Sequence, residues 1–558
     1  MSSAKGRIGA ARIVLAACLL AMASPAVAAQ PDGPGAYPEL VELFSGFSNW
    51  RAKALDPLGA DFSPQAVVQR TAELAAMQAR LGTMGVARWS RPQKVDWLIV
   101  RSRMDEADFV QRVTQPWARD PGFYISELQR TAFADLPVRG SALAKLRAEL
   151  ARAPAVLAQA RKNLTDVAAD HADLAIHLLD HSDGIEDGYP ARLKPPAGVI
   201  GWYEDLLMRA RTQQPALVPE IERSIAALRE FKTWLTANRS TMNGRAGVGR
   251  AKLDWYLRNV LLMPYDSKDA LALGQRELQR FTGFYALERH RNRKLPEIAL
   301  ARSAAEYLKR IEETDARIRR FIVAEEFMTI PPTIPEDWRK LVIPPSYSEP
   351  YNVPFITRAV PPNFWEQIQF RDPSPDHWHA VIPGHRFDLT LALANPNPIR
   401  AKVLDGARWQ GWAVYLEESA LQAGFFEDRP RVRELIHLFG LWRAARAIGD
   451  IRNQLNELDA GEVATYWQSV TPLLDADVAR KYAHIRTLPG HGLEYTIGAI
   501  QMWALLAERK RQLGDKFVLK DFHDSFIGKS RIPMALIRWE MTGNDREAEA
   551  LFDRQPLN

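Results

Sequence analysis

The sequence predicts a mainly α-helical protein, and three observations support that class. Apolar residues recur at three- and four-residue steps, as in Leu143, Leu146 and Leu150, which places them on one face of a helix. The 558 residues are 47% hydrophobic and 25% charged, a balance that excludes a disordered chain and a polytopic membrane protein. Prolines, which interrupt helices, are concentrated in one stretch and leave most of the chain free to be helical.

The first 28 residues are predicted to be a secretory signal peptide. Lys5, Arg7 and Arg12 precede an apolar run at 13–23, and the small residues at 26–28 form a cleavage site. The apolar run is too short to span a bilayer, which takes about 20 residues. We therefore expect a periplasmic or secreted protein whose mature chain has no transmembrane segment.

The single cysteine, Cys18, lies within that predicted signal segment. It ends the sequence Leu-Ala-Ala-Cys, which is similar to a lipoprotein box. Only five residues separate it from Arg12 and the apolar run continues past it, so cleavage after Ala28 is favoured over lipid attachment. The mature chain then has no cysteine, which excludes disulfides and Cys-rich zinc modules. Any metal would have to be held by histidine, carboxylate or amide groups.

Net charge argues against a nucleic-acid partner. Removal of the signal segment takes away three basic residues and no acidic one, which lowers the formal charge from +6 to +3. Proteins that bind nucleic acids need clustered Lys and Arg, and so small a charge on a long chain does not indicate them.

The N-terminal part of the mature chain is predicted to form successive amphipathic helices. Apolar periodicity predicts helices over 66–81, 217–238 and 304–325. Another helix is expected to begin at Asp266 or Ser267, since either residue is a suitable N-cap.

A proline-rich stretch separates this part from a second helical part. Eleven of the 37 prolines lie between Pro331 and Pro375, and they predict extended structure and loops. A plain linker would explain the stretch, but interleaved aromatic residues such as Tyr347 and Phe355 favour an ordered segment that lines a cleft. The predicted division is an N-terminal helical half at 29–330, a Pro-rich extended segment at 331–378 and a C-terminal helical half at 379–558.

The most informative motif contains two histidines six residues apart, His379 and His385. On an uninterrupted helix they would point about 240° apart, too far round to share one ion. Pro383 and Gly384 lie between them, and proline favours the start of a helix, so His385 is expected in the opening turn of a new one. Both imidazoles can then converge. A pair of hydrogen-bonded core histidines would explain the same residues.

Two further motifs carry polar residues on helices. Gln410 and Glu417 lie seven residues apart on an amphipathic helix, about two turns, and so face the same side. Pro489 and Gly490 again precede a predicted helix, on which His491 and Tyr495 share one face.

These blocks, followed by the segment 513–524, closely resemble in order and spacing the bacterial domain of unknown function 885 family. Members of that family look like distant relatives of zinc metallopeptidases of the thermostable-carboxypeptidase and oligopeptidase type. The resemblance covers most of the mature chain and is strongest from Tyr347 to Ile537. It implies a large metallopeptidase-like helical body with a deep central groove, and the Pro-rich segment along one wall of that groove.

The family patterns H-E-x-x-P-G-H and E-G-W-A-x-Y-x-E imply a metal site, with zinc as its ion. His379 and His385 match the two expected zinc-binding histidines. Gln410 replaces the glutamate expected as the third ligand, and Ala380 replaces the glutamate expected as the general base. Glu417 matches a family glutamate and could ligate the ion directly or through water, although a solvated or salt-bridged face would also explain it.

The third pattern, P-G-Q-x-x-S-Y-x-x-G, implies groups that act on a substrate. His491 replaces the glutamine of this pattern and Glu494 replaces the small residue before the matched Tyr495. An imidazole titrates near neutral pH, so His491 is a candidate acid or base. Tyr495 is a candidate donor to a developing oxyanion. A histidine bonded at the start of a helix and a buried tyrosine are the plainer alternatives.

Two aspartates flank the histidines and are expected to hold their second ring nitrogens. These are Asp376 and Asp388, and such carboxylates commonly orient metal-binding imidazoles. Helix capping or surface charge would explain both residues as well. His523 and Asp524 are predicted to be structural.

Loss of both expected carboxylates leaves three functions open. A periplasmic metal-dependent hydrolase of short peptides or amide-like small molecules is favoured. Loss of a general base typically costs about 10²–10⁴-fold in rate, so a pseudoenzyme that binds a ligand or partner without turnover is the first alternative. An enzyme of altered chemistry, a lyase or isomerase that uses His491 or Tyr495, is the second.

Overall fold

The structure is a computed structural model that describes residues 37–56, 59–181, 196–343, 361–484 and 489–557. Within these ranges nearly all regular structure is helical, and β-type pairing is limited to an isolated bridge between Ala168 and Gly244. The predicted mainly α class is confirmed. The predicted signal peptide and Cys18 lie outside the described residues. No helix of the described ranges is long and apolar enough to cross a membrane.

The described residues up to Ala324 form twelve α-helices. Their bounds are α1 Tyr37–Ala54, α2 Pro64–Gly82, α3 Arg91–Phe109, α4 Pro116–Arg119, α5 Gly122–Ala132, α6 Gly140–Asn163, α7 Ala169–Asp180, α8 Gly198–Gln213, α9 Val218–Asn238, α10 Arg250–Asn259, α11 Ser267–Arg291 and α12 Ala304–Ala324. The helices predicted from periodicity correspond to α2, α9 and α12 to within two residues. Asp266 is the N-cap of α11, because its carboxylate accepts the amide hydrogen of Asp269.

Eleven more helices follow in the rest of the described chain. Their bounds are α13 Phe364–Gln369, α14 Ser374–Ala380, α15 His385–Leu393, α16 Gly406–Gln422, α17 Pro430–Gln454, α18 Ala460–Val470, α19 Ala476–His484, α20 His491–Leu513, α21 Leu519–Gly528, α22 Met534–Thr542 and α23 Arg546–Phe552. Helices α16, α17 and α20 pack against one another, and α11 from the N-terminal part packs along α17.

The predicted Pro-rich extended segment is partly helical. Of residues 331–378, those at 344–360 lie outside the described ranges, and the C-terminal part forms α13 and the start of α14. Asn363 and Glu366 form a capping box that starts α13. Pro375 lies in the first turn of α14, where a proline needs no amide hydrogen. Extended structure is therefore wrong for this part, and its place along a groove stays a prediction.

The hydrophobic core crosses the predicted boundaries at 330 and 378. One cluster of buried side chains joins α1, α3 and α12 with α14, α16, α21 and α22. Its members include Leu98, Ile318, Trp378, Trp412 and Ile537. Helices α4–α9 enclose a second cluster around Leu150, Trp202 and Phe231. The two predicted halves therefore share one core, while the helices α4–α9 have a core of their own.

Helices α16 and α20 touch backbone to backbone at two glycines. A Cβ atom on Gly411 would overlap the backbone of Gly498, and one on Gly498 would overlap the carbonyl of Ala407. Only glycine permits this approach, since any side chain would push the two helices apart. The crossing sets the distance between Gln410, next to one glycine, and Tyr495, one turn before the other.

Candidate functional site

His379 and His385 meet because the chain turns back between α14 and α15. His379 is the next-to-last residue of α14 and His385 is the first residue of α15. Gly384 lies directly against the carbonyl of His379, where a Cβ atom would overlap that carbonyl. The two imidazole centroids are 4.6 Å apart with their planes at 80°. The turn at Pro383 and Gly384 thus brings both rings to one place.

Gln410 lies between the two imidazoles. Its Oε1 is 3.1 Å from Nε2 of His385, and its side chain is close enough to His379 to raise the pKa of that ring. Trp409, the preceding residue of α16, stacks flat on the His385 ring with centroids 4.2 Å apart and planes at 6°. Both imidazoles and the amide therefore lie together, and the indole fixes the plane of one ring.

Glu417 holds His379 from the other side of the ring. Its Oε1 lies 2.7 Å from Nδ1 of His379, and its Oε2 accepts a hydrogen bond of 2.5 Å from Nη1 of Arg443. Both Glu417 and Arg443 are buried. Burial raises the pKa of Glu417 to about 7, although the Arg443 guanidinium acts in the opposite direction. Glu417 is thus the carboxylate that orients His379, two turns along α16 from Gln410.

Both histidines are held neutral at neutral pH. His379 and His385 are 7% and 3% exposed, and burial lowers the pKa of each well below its ordinary value. The Arg443 charge lowers the pKa of His379 further, and the neighbouring imidazole does the same for His385. Neutral imidazoles keep a lone pair, which is the form that binds a metal ion.

Tyr495 forms a second wall of this site. Its ring lies parallel to that of His379, with centroids 6.3 Å apart and planes at 10°. The guanidinium of Arg446 is sandwiched between Tyr495 and Tyr482, with its Cζ 4.4 Å from each ring centroid. His491 meets the edge of the Tyr495 ring at 5.9 Å. The α17 arginine therefore fixes the tyrosine that faces the histidine pair.

His491 and Glu494 lie at the solvent-facing edge of the site. Their side chains are 33% and 14% exposed, and Nδ1 of His491 is 3.9 Å from Oε2 of Glu494. Burial raises the pKa of Glu494 well above its usual range, and the carboxylates of Asp405 and Asp450 raise it further. The shift favours the protonated form of Glu494, which lies next to an imidazole that solvent can reach.

His379, His385 and Gln410 equal the usual number of protein ligands in a catalytic zinc site, but none of the three is charged. Catalytic zinc sites usually have three protein ligands and an open position for water. In the described ranges no group of three or more His, Cys, Asp and Glu residues could hold an ion, so three ligands are reached only with Gln410. A neutral amide attracts a cation less strongly than a carboxylate does.

Residues 46–541 match the model of a family described as "Bacterial protein of unknown function (DUF885)". The chain belongs to this family. The match includes every residue of the site, from His379 to Tyr495. No curated protein matches the DUF885 chain.

Two solved structures share the fold of this DUF885 protein. One is a candidate lipoprotein of unknown function from Shewanella oneidensis, 16% identical, with a TM-score of 0.68 over 90% of this chain and 99% of its own. The other is a candidate lipoprotein from Colwellia psychrerythraea, 14% identical, with a TM-score of 0.66 over 93% of this chain and 99% of its own. At these identities the likeness concerns the fold alone.

One of the two flanking aspartates, Asp388, has another partner than predicted. Asp388 accepts two hydrogen bonds from Arg408, at 2.8 and 3.0 Å, instead of holding a ring nitrogen. Arg408 is fully buried, and a bidentate carboxylate is the partner such a guanidinium needs. Asp376 lies close to Tyr307 and raises the pKa of that buried phenol, after burial itself. The carboxylate behind the histidine pair is Glu417.

Arg443 and Arg446 are the site residues that sequence reasoning missed. Both lie on α17, in a run of mostly apolar residues from Leu435 to Ile451. Arginine is rarely buried unless it is paired, so two arginines inside this mostly apolar run are a signal for buried partners. The sequence does not say which partners these are, because they lie on other helices.

His523 and Asp524 have structural partners in this DUF885 protein. The His523 ring is buried, with Nδ1 2.7 Å from the carbonyl of Phe327 and Nε2 2.8 Å from the hydroxyl of Tyr415. Asp524 accepts hydrogen bonds from the amide and the hydroxyl of Thr329. Both residues tie α21 to the loop that follows α12.

Proposed function

We propose that this DUF885 protein is an extracytoplasmic metal-dependent hydrolase of short peptides or amide-like small molecules. One observation carries the proposal, namely the convergence of His379, His385 and Gln410 with Glu417 behind the first histidine. Histidine pairs that serve only as packing do not need a buried carboxylate on one ring and an amide between both. The predicted signal peptide supports the extracytoplasmic location.

Zinc is the ion that we propose for this site. His379, His385 and Gln410 would hold it, and Glu417 on the far nitrogen of His379 is the kind of partner that orients metal-binding imidazoles. Nδ1 of His385 is buried with no hydrogen-bond partner in the described residues, so the stacked Trp409 sets that ring's plane. A bound ion would supply an acidified water and a polarised substrate carbonyl.

The remaining groups would handle protons and the oxyanion. Ala380 offers no base, so the imidazole of His491, at the exposed edge, is the group proposed to take a proton. Glu494 lies beside it, and its raised pKa suits it to return a proton to a leaving amine. The hydroxyl of Tyr495, on a ring fixed by Arg446, is proposed to donate to the developing oxyanion.

A ligand-binding protein without turnover is the second candidate. The observation that favours it is the joint loss of two carboxylates, at Ala380 and at Gln410. The first leaves no base next to the histidines, and the second leaves a site with no anionic ligand. Under this alternative the same residues bind a small molecule or a peptide and release it unchanged.

The test is metal content together with peptide hydrolysis. Wild-type protein stripped with a chelator and reloaded with zinc is expected to retain one ion per chain by mass spectrometry, and to cleave members of a short-peptide library. His385→Ala is expected to lose both, whereas His290→Ala, which removes an exposed histidine from α11, keeps both.

Each other outcome rules out one part of the proposal. Zinc retention without any cleavage supports the ligand-binding alternative. Wild-type protein that retains no transition ion and cleaves no peptide contradicts the metal-dependent hydrolase.

A further inference from the structure

A cavity lined by arginines lies away from the histidine pair. Its volume is about 720 Å³, and its walls are α12, the turn before α12, the turn before α14 and the start of α17. Six arginines line it, and Glu313 and Asp372 are the acidic residues of its lining. The arginines are Arg310, Arg317, Arg320, Arg371, Arg429 and Arg431.

Two of these arginines, Arg320 and Arg371, make no ion pair in the described part of the chain. The other four are paired, as Arg310 with Glu306, Arg317 with Asp428, Arg429 with Asp372 and Arg431 with Glu434. Arg371 donates one hydrogen bond, of 2.7 Å, to the backbone carbonyl of Gln367. Arg320 is exposed at the mouth of the cavity. The guanidinium groups of Arg320 and Arg371 therefore remain outside the ion pairs of the cavity.

The electrostatics of the cavity agree with an excess of positive charge. Burial lowers the pKa of Arg429 to about 10, and the charges of Arg317 and Arg310 lower it further. The start of α17, a helix of 25 residues, also lines the cavity at Pro430, and a helix N-terminus carries partial positive charge.

Apolar side chains line the same cavity. Leu295, Ile298 and Val432 lie on its wall beside the arginines. A bare inorganic ion would gain nothing from such contacts, whereas an organic molecule would bury apolar surface there. The lining thus combines cationic groups that bind two or more negative charges with a surface for the carbon part of a ligand.

We propose that this cavity binds a small organic anion with at least two negative charges, a phosphate ester or a polycarboxylate. The site is distinct from the histidine pair, and none of the residues assigned to the proposed metal site lines it. Arg429, on its wall, reaches Ser374 at the start of α14, whereas His379 lies near the opposite end of that helix. Occupancy of the cavity therefore does not depend on the proposed hydrolase.

The test is isothermal titration of the full mature chain with glycerol 3-phosphate, a phosphate ester, and, separately, with citrate. At least one probe is expected to bind, and its affinity should fall as salt is added, because salt screens charge. Arg371→Ala and Arg320→Ala should each weaken binding about tenfold, as the loss of one charge-assisted contact implies. These two arginines have no ion pair to break, so folding is expected to be retained.

The matched controls are Arg276→Ala, which removes an exposed positive charge from α11, and His385→Ala, which alters the proposed metal site. Both should bind the probes like wild type. Stronger binding of glycerol 3-phosphate assigns a phosphate ester, and stronger binding of citrate assigns a polycarboxylate. The proposal is overturned if neither probe binds wild type at millimolar concentration, or if both arginine variants bind as wild type does.

Discussion

Glu417 Oε1 lies 2.7 Å from Nδ1 of His379, while Gln410, two turns earlier on the same helix, contacts both imidazoles from the other side. One face of α16 thus supplies two different functions. The amide joins the convergent donors, and the carboxylate orients one of them. The contribution of the carboxylate can therefore be measured separately from that of the amide.

Glu417→Gln should weaken zinc binding about 10- to 100-fold, the usual loss when the partner of a metal-binding histidine is changed. The amide keeps a hydrogen-bond acceptor, but it no longer increases the basicity of the ring. Competition with a chromogenic chelator measures the affinity. Glu418→Gln is the control, because Glu418 is the next residue, is also buried and also pairs with an arginine, Arg280. An equal loss in both variants would mean that Glu417 has no special role.

Gln410→Glu should tighten zinc binding by about tenfold, because a charged ligand interacts more strongly than a neutral one. The same chelator competition measures it. Combined with Ala380→Glu, the change restores both carboxylates that the family pattern contains. If the double variant cleaves peptides that wild type leaves intact, the wild-type site has lost peptidase activity. Cleavage by wild type alone would instead favour a different base, with His491 the first candidate.

Asp388→Leu should destabilise the protein by about 3–5 kcal/mol, because it leaves the buried guanidinium of Arg408 without its carboxylate. Urea denaturation measures the free energy of unfolding. The double variant Asp388→Leu with Arg408→Met should lose less, since both charges are then removed. If Asp388 served only to orient a histidine, Asp388→Leu would lower metal affinity and leave stability unchanged, which is the opposite result.

Gly498→Ala should cost about 1–3 kcal/mol of stability and weaken any activity, because a methyl group there forces α16 and α20 apart. Thermal and chemical denaturation measure the first effect. Gly283→Ala, in the exposed middle of α11 with open space around it, should instead be stabilised by about 0.4–1 kcal/mol. Loss of stability at both glycines would indicate a general intolerance of the helices rather than the crossing.

Acid should destabilise the folded state through its buried histidines. Burial lowers the pKa of His523 to about 4, so the folded state keeps that ring neutral while the unfolded chain protonates it near pH 6.5. The stability that His523 contributes is therefore complete above pH 6.5 and is lost as pH falls toward 4.

His523→Gln should reduce the loss of stability between pH 7 and pH 5 by about 2 kcal/mol, as this pKa difference implies. Urea denaturation at the two pH values measures it. His290→Gln, at an exposed position on α11, is the matched control for the loss of a histidine. A slope that is the same in wild type and in His523→Gln would show that His523 does not carry this effect.

Local sequence patterns were sufficient for the helices and for one turn. The apolar period of α2, α9 and α12 and the N-cap Asp266 involve neighbours three or four residues apart, so no tertiary information is needed. The same holds for Pro383 and Gly384, which predict that His385 starts a helix. The prolines predicted extended structure where α13 and α14 lie. That prediction is wrong at α13 because the capping residue Asn363 starts a helix even between prolines.

Pairings between distant helices could not be read from the same patterns. Asp388 was assigned to a histidine because the two are close in the sequence, but Arg408 reaches it from α16. Arg443 and Arg446 contact the site from α17, more than 50 residues from His385 along the chain. Charge pairing in a core depends on which side chains the fold brings within about 3 Å, and sequence spacing does not encode that distance.

The order of residues alone establishes that this chain is helical, that it belongs to the DUF885 family and that two histidines flank a proline-glycine turn. Folding decides what those histidines contact. Backbone contact at Gly411 and Gly498 and the burial of α17 place an amide, a carboxylate and two arginines around them. The reason is physical, since helix formation depends on neighbours along the chain, whereas the chemistry of a buried site depends on neighbours in space.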